Sequence, residues 1–323
     1  MRRIAVLTSG GDSPGMNPVI RAVTRAADQA GLPTAGVRDG FAGLVDGAFV
    51  PLGARDVSGI LHRPGSMLRA GRSPRFRSTE GRREALKHLD LAEVDGLVVV
   101  GGDGSMRGAD ALSREGSVSV VGVPGTVHND LAGGDFTVGF DTAVNTALES
   151  IDRLRDTATA DERLCFVEVL GRQSGWVSLC SGLAGGATYV VTPEQGPDIG
   201  AIRAAVRRAL GLGKRYCIVV VAERGHAGSA YDLAERVCEG LDGVEARVAT
   251  LGHVQLGAAP TLRDRLLGSI LGDAAVRALL DGEDRVLVGE RCQRVVRTPL
   301  SRAWSEHHAP PDALFDLLDR LAR

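Results

Sequence analysis

The chain has 323 residues, 44% of them hydrophobic, and a formal charge of −2 at neutral pH. That length holds two packed α/β domains, whereas near-neutral charge and 4% aromatic residues exclude a nucleic-acid binder built on basic patches or stacking platforms. The longest apolar runs, such as 217–222, are strand length and far too short to cross a membrane as a helix.

In chain order, the apolar run 4–7 predicts a first strand, reached so soon that no room is left for a leader peptide. It enters the polar loop Thr8 to Asn17, and Asn17 is the expected cap of a helix with Pro18 in its first turn and Gly31 past its end. A second strand, 97–100, runs into Gly101-Gly102-Asp103-Gly104-Ser105. Glycines let backbone amides approach phosphate oxygens, a helix starting near Ser105 offers its positive end, and Asp103 is placed to hold Mg²⁺. Taken alone, that pentapeptide also reads as a plain strand-to-helix turn. A third strand, 118–123, delivers Pro124 to Asp130. Ligands of open parallel sheets bind beyond the carboxyl ends of strands, so the three loops describe one phosphate-sized site.

Further strands are expected at 164–170, 189–192, 216–222 and 286–289, with helical patterns between them and no low-complexity linker. Strand-helix alternation argues for parallel sheets flanked by helices. The five cysteines form no C-x-x-C pair, so reduced thiols and a cytoplasmic location are expected. Lys87 and Lys214 are the only lysines, leaving phosphate contacts to arginine. His62, His88, His226, His307 and His308 lack metal-ligand spacing and read as surface or loop residues.

The motifs Leu7 to Asn17, Gly101 to Ser105, Pro124 to Asp130, Glu168 to Arg172 with Ser174-Gly175-Trp176, and Leu251 to Gln255 with Asp264-Arg265 resemble those of the phosphofructokinase family, in its order and spacing. The resemblance covers nearly the whole chain. It implies two Rossmann-like α/β domains with mainly parallel sheets: a nucleotide-binding domain of 1–139 plus 256–305, and a sugar-phosphate domain of 140–255 plus 306–323. It further implies that Gly11, Phe41, Arg72, Arg77, Gly102, Asp103, Gly104, Ser105 and Gly108 hold MgATP, with Asp103 as the metal carboxylate. In the family, bulkier Asp and Lys at the positions of Gly104 and Gly125 accompany pyrophosphate use, so glycine at both implies ATP as donor.

On the acceptor side the resemblance implies substrate contacts from Thr126, Arg163, Leu170, Gly171, Arg172, Glu223, Arg247 and His253, with Arg163 and Arg247 reaching into a neighbouring subunit of a homotetramer or dimer. Gly11, Thr126, His128, Asp130 and Arg172 occupy the catalytic positions. Arg21, Arg25, Arg55, Arg155 and Lys214 match an intersubunit effector site, or else make intersubunit ion pairs only; Thr188 replaces a glutamate that holds the effector's Mg²⁺ in bacterial members. Two departures stand out. Leu256 replaces an arginine of the sugar-phosphate pocket, and His128 replaces the aspartate that takes the proton of the attacking hydroxyl. His128 is open to three readings: an alternative base, an acid or nucleophile in a reaction other than hydroxyl phosphorylation, or a decayed base in a nucleotide-binding regulator. The expectation is ATP-dependent phosphoryl transfer to fructose 6-phosphate or a related phosphorylated acceptor, of ordinary or specialised metabolism.

Overall fold

The structure, a computed structural model, describes residues 1–157, 164–223 and 229–322. In chain order the elements begin β1 (Ile4–Thr8), α1 (Met16–Gln29), β2 (Thr34–Val37), α2 (Gly40–Asp46), β3 (Phe49–Leu52), a 3₁₀ turn (Arg75–Arg77), α3 (Thr79–Leu91), β4 (Gly96–Gly101), α4 (Asp103–Glu115), β5 (Ser119–Pro124) and α5 (Phe140–Thr157). They continue with β6 (Leu164–Val169), α6 (Trp176–Ala184), β7 (Tyr189–Val191), α7 (Ile199–Gly211), β8 (Cys217–Ala222), α8 (Ser229–Cys238), β9 (Ala246–Thr250), a 3₁₀ helix (Gly252–Leu256), α9 (Leu262–Leu280), β10 (Val286–Arg291), β11 (Arg294–Pro299), α10 (Leu300–Ser305) and α11 (Asp312–Leu321). The chain forms two compact units, Met1–Thr142 with Leu256–His308, and Ala143–Gln255 with Ala309–Arg323.

The first unit is built on a seven-stranded sheet of order β11-β10-β5-β4-β1-β2-β3. Its inner strands are parallel, and β3 and β11 run antiparallel at the edges. Strands β1 and β4 are buried along their whole length, which is why they read as unbroken apolar runs rather than as alternation. Their side chains point alternately to two layers. Ile4, Val6 and Val98 pack with Val19 and Val23 of α1 and Leu267 and Leu271 of α9, while Leu7, Leu97 and Val99 pack with Leu112 of α4 and Leu300 of α10. Each such fully buried Val or Leu contributes about 1.5–3 kcal/mol. Gly272 sets the α1–α9 approach, because a Cβ there would sit 2.8 Å from the Val19 carbonyl oxygen. From β1 the chain passes to β2 on one side, and from β4 to β5 on the other, so the strand order reverses between β1 and β4.

The second unit holds a four-stranded parallel sheet, order β7-β8-β6-β9. Phe166, Val219 and Val221 pack against Ile202 and Val206 of α7 and Leu233 and Val237 of α8.

Local readings change in several places. Gly15, at φ 99°, caps α1 instead of Asn17, which lies buried in the first turn. Asn17 spends its side chain elsewhere, donating through Nδ2 to the Arg63 carbonyl and accepting from the Met67 amide. Helix α4 starts at Asp103 rather than near Ser105, since the Met106 amide already bonds the Gly102 carbonyl. Strands β2, β3, β9 and β11 were not expected from sequence: β2 is four residues interrupted by Gly36, and the other three carry exposed edge positions that blur any apolar run. His88 is neither a surface nor a loop residue, because it lies in α3 with its Nδ1 buried beside Gly47; His308 is a half-buried loop residue that bonds the loop after β5, and His226 lies outside the described residues.

Candidate functional site

The register of β1, β4 and β5 aligns Thr8 with Val100 and Gly101 with Pro124, so the three strands end side by side at the reversal point of the sheet. Their loops touch. The Ser9 amide donates to the Val100 carbonyl at 2.9 Å, and the Gly125 amide to the Gly101 carbonyl at 3.0 Å. Ser13 Oγ, in the first loop, donates to Val138 O at 2.7 Å, at the end of the third. A Cβ on Gly101 would lie 2.5 Å from Ser105 Oγ and 2.7 Å from Ser9 O, so the second loop closes on the first only with glycine there.

Within this cluster, Gly11 and Gly104 face open space, and Gly102 lies against Thr126. Asp103 stands exposed in the first turn of α4 and pairs loosely with Arg107 at 3.9 Å. Ser105 is buried where the first two loops meet. Gly108, one turn into α4, sits against Phe41 and Phe76, whose rings stack with centroids 4.1 Å apart. Arg72 and Arg77 flank that pair on exposed chain, and the adjoining Gly71 bridges to Ser9. The sequence reading omitted Phe76, although it lies within the matched segment 71–77. Partial burial pushes the Asp12 carboxyl up.

The third loop carries Thr126, His128 and Asp130. Thr126 Oγ1 accepts the His128 amide at 3.2 Å, and the Thr126 carbonyl accepts Thr137 Oγ1 at 2.6 Å. The His128 Nδ1 is buried. Asn129 between them is fully buried at φ 52°, a left-handed conformation Asn tolerates because its side chain bonds locally. Here Nδ2 donates to Asp135 O at 3.1 Å, and Oδ1 accepts the Thr137 amide at 2.8 Å. Asp130 Oδ1 is buried and has no hydrogen-bond partner among the described residues.

In the second unit, Leu170, Gly171, Arg172 and Glu223 gather at the carboxyl ends of the adjacent strands β6 and β8. The Glu223 amide donates to Val169 O at 2.8 Å and the Arg172 amide to Glu223 O at 2.9 Å, with Arg172 at φ 55°. Gly171 allows that pairing, as a Cβ would lie 2.6 Å from the Ala222 Cβ. Gln255, fully buried, accepts the Leu170 amide and donates to the Ala143 carbonyl, which fixes the 3₁₀ helix bearing His253. Arg247 is not gathered with them: it pairs in register with Cys165, on the exposed edge strand β9 and before its carboxyl end. Arg163 lies outside the described residues.

Of the residues matched by resemblance to an effector site, Arg21 and Arg25 lie one turn apart on α1 and Arg55 is exposed after β3. In the second unit, Arg155 pairs with Asp152 at 2.8 Å, donates to the Gly185 carbonyl and lies over the Tyr216 ring, and Lys214 follows α7. Thr188 is buried. Among the described residues no group of three or more His, Cys, Asp or Glu side chains is arranged to hold a metal, and no helix is long and apolar enough to cross a membrane.

The sequence pattern of the family described as phosphofructokinase matches residues 3–279. The chain is 51% identical over 322 residues to the ATP-dependent 6-phosphofructokinase 1 of Thermus thermophilus, covering 100% of both chains. It is 44% identical over 322 residues to an ATP-dependent 6-phosphofructokinase of Listeria monocytogenes serotype 4b, again covering 100% of both. Among solved structures it is similar to the T-state phosphofructokinase of Pichia pastoris, with a TM-score of 0.88 and 30% identity over 99% of this chain and 38% of that one. With a family pattern over most of its length and a relative half identical from end to end, the chain belongs to the phosphofructokinase family.

Proposed function

We propose that the protein transfers the γ-phosphoryl group of ATP to fructose 6-phosphate or a closely related phosphorylated acceptor, through a catalytic loop altered at His128. The observation that carries this reading is the meeting of three glycine-rich loops at the carboxyl ends of β1, β4 and β5, with open space at Gly11 and Gly104. Backbone amides there and the start of α4 suit phosphate oxygens. The buried Phe41–Phe76 stack supports the backbone at Gly108, and Arg72 and Arg77, exposed on the same segment as Phe76, would supply cations for a nucleotide. The first unit is thus the nucleotide-binding domain and the second the acceptor domain, where Arg172, Glu223 and His253 meet the sugar phosphate.

Mg²⁺ fits the donors present. Asp103 is an accessible carboxylate at a phosphate-sized loop, and Asp130 keeps a buried oxygen without a protein donor, which suits a cation that takes one or two carboxylates and completes its shell with phosphates and water. Bound there, Mg²⁺ would neutralise charge on the transferring group. His128 would accept the proton of the acceptor hydroxyl through Nε2, and Arg172 would counter the charge that develops on the phosphoryl oxygens. Arg163 and Arg247 would complete the site of a neighbouring copy, which makes the protein a homotetramer or dimer.

A second reading, a catalytically poor nucleotide-binding regulator or a reaction other than hydroxyl phosphorylation, is favoured by Leu256, which removes one guanidinium from the acceptor pocket, and by His128 itself. Phosphorylated acceptors incubated with MgATP and analysed by mass spectrometry separate the two. A product heavier by one phosphoryl group supports the first reading; nucleotide binding without any product supports the second.

A further inference from the structure

The segment that closes the first unit runs beside the loop bearing His128. Leu131 forms an antiparallel bridge with His307, the Ala132 amide donates to the Ala303 carbonyl at 3.3 Å, and the His308 amide donates to the Asp130 carbonyl at 3.2 Å. On this backbone frame sits a side-chain tie. His308 Nδ1 donates to the Asn129 carbonyl at 2.9 Å, across 179 residues of chain.

We propose that His308 is a positioning residue for phosphoryl transfer: its imidazole, bonded to the Asn129 carbonyl, sets the direction in which His128 and Asp130 leave the loop. This rests on the function proposed above. Asn129 is the pivot between the two. Its side chain is spent on Asp135 and Thr137 within the same loop, so those bonds fix the shape of the loop but not its orientation on the sheet. The carbonyl bond to His308 adds a side-chain tie to the backbone links that already join this loop to the remote segment. Asn129 is fully buried and left-handed, and it stands directly between His128 and Asp130, so a bond to its carbonyl acts on the backbone that carries both. A carbonyl oxygen can only accept, so the bond to Asn129 requires a proton on His308 Nδ1.

The test compares His308→Ala with His308→Asn in the full chain. Asparagine offers an amide N–H at nearly the same reach as Nδ1, and the backbone rungs at residues 130–132 survive in both variants. In His308→Ala we expect kcat to fall about tenfold with KM for MgATP within about twofold, and His308→Asn to recover most of the loss. Unchanged kcat in His308→Ala, or a loss that asparagine does not recover, overturns the proposal. If the unmodified chain phosphorylates no acceptor, the functional reading fails by itself, and a second readout still decides the role of His308. With ¹³C-labelled histidine, the His128 resonance is assigned through His128→Gln and its chemical shift compared at one fixed pH. A His128 shift that moves in His308→Ala and returns in His308→Asn sustains the positioning role, and identical shifts in all three proteins refute it.

Discussion

Asp264 Oδ1 accepts the Gly139 amide at 2.7 Å, joining the start of α9 to the chain that enters α5 across 125 residues. Its other oxygen accepts the Thr142 amide at 2.8 Å and the Thr142 hydroxyl, while the Thr261 hydroxyl caps α9 by accepting the Asp264 amide. The carboxyl is fully buried, and burial pushes its pKa from 3.8 up to about 6 against the pull of those bonds. A folded-state pKa above the unfolded one means that the folded protein holds the proton more tightly. Stability therefore falls as pH rises from about 4 to about 6 and is flat above. Asp264→Asn removes that titration and turns an amide donor toward the Thr142 N–H. The variant should be less stable by about 1–3 kcal/mol at pH 7, and its deficit should widen by up to about 3 kcal/mol as pH is lowered to about 4. Urea unfolding of both proteins across that range checks it; a deficit independent of pH would refute the assignment.

Gly104 and Gly125 differ in what a side chain would meet. A Cβ at Gly104 touches nothing within 4 Å, whereas one at Gly125 would lie 2.8 Å from Val100 Cγ1 and 3.3 Å from the Gly101 amide nitrogen. Gly104→Asp should then fold with a melting temperature within about 2 °C of the parent, and lose about tenfold or more in MgATP affinity because the new carboxylate faces phosphate. Gly125→Lys should cost about 1–3 kcal/mol of stability by crowding β4. Thermal melts and calorimetry with MgATP separate these effects, and an unchanged ATP affinity in Gly104→Asp would show that the nucleotide does not lie over α4.

The strands that build this site were legible because burial on both faces forces them into apolar runs, as in 97–100 and 118–123. The loops were legible because only glycine allows the Gly101–Ser105 approach. What stayed hidden depends on remote partners. Nothing local marks Gly15 rather than Asn17 as the cap of α1, since Asn17 is claimed by Arg63 and Met67 some fifty residues away. Similarly, His308 looks like a tail histidine until the fold brings it to Asn129, and edge strands such as β11 owe their pairing to a neighbour and not to their own pattern.

Assembly is open to direct measurement. Arg247 lies exposed on β9, away from the loop that holds Arg172 and Glu223, and completes an acceptor site only if it serves another copy. Light scattering should give a mass of at least twice 33.8 kDa. Mixing Arg247→Ala with a variant crippled at Arg172 should restore part of the activity by forming some intact sites. A single-chain mass, or no recovery on mixing, would place Arg247 outside the acceptor site.

The loop after β5 offers the sharpest test of the altered chemistry. Thr126 and Asn129 fix its backbone through bonds that do not involve the His128 ring, so His128→Asp should leave the loop in place and put a carboxylate base where the family has one. Fructose 6-phosphate turnover should then rise about 10²-fold or more, within the range one positioned base supplies. The gain should be in kcat, with KM for MgATP little changed. Leu256→Arg should act instead on KM for the sugar phosphate, because each restored charge-assisted hydrogen bond contributes about 1.5–3 kcal/mol to holding the distal phosphate. The two changes touch different groups of the acceptor, so their effects on kcat/KM should multiply. If the double variant still binds MgATP and turns over fructose 6-phosphate no faster than the unmodified chain, the pocket serves another acceptor or another reaction, and the sugar kinase reading fails.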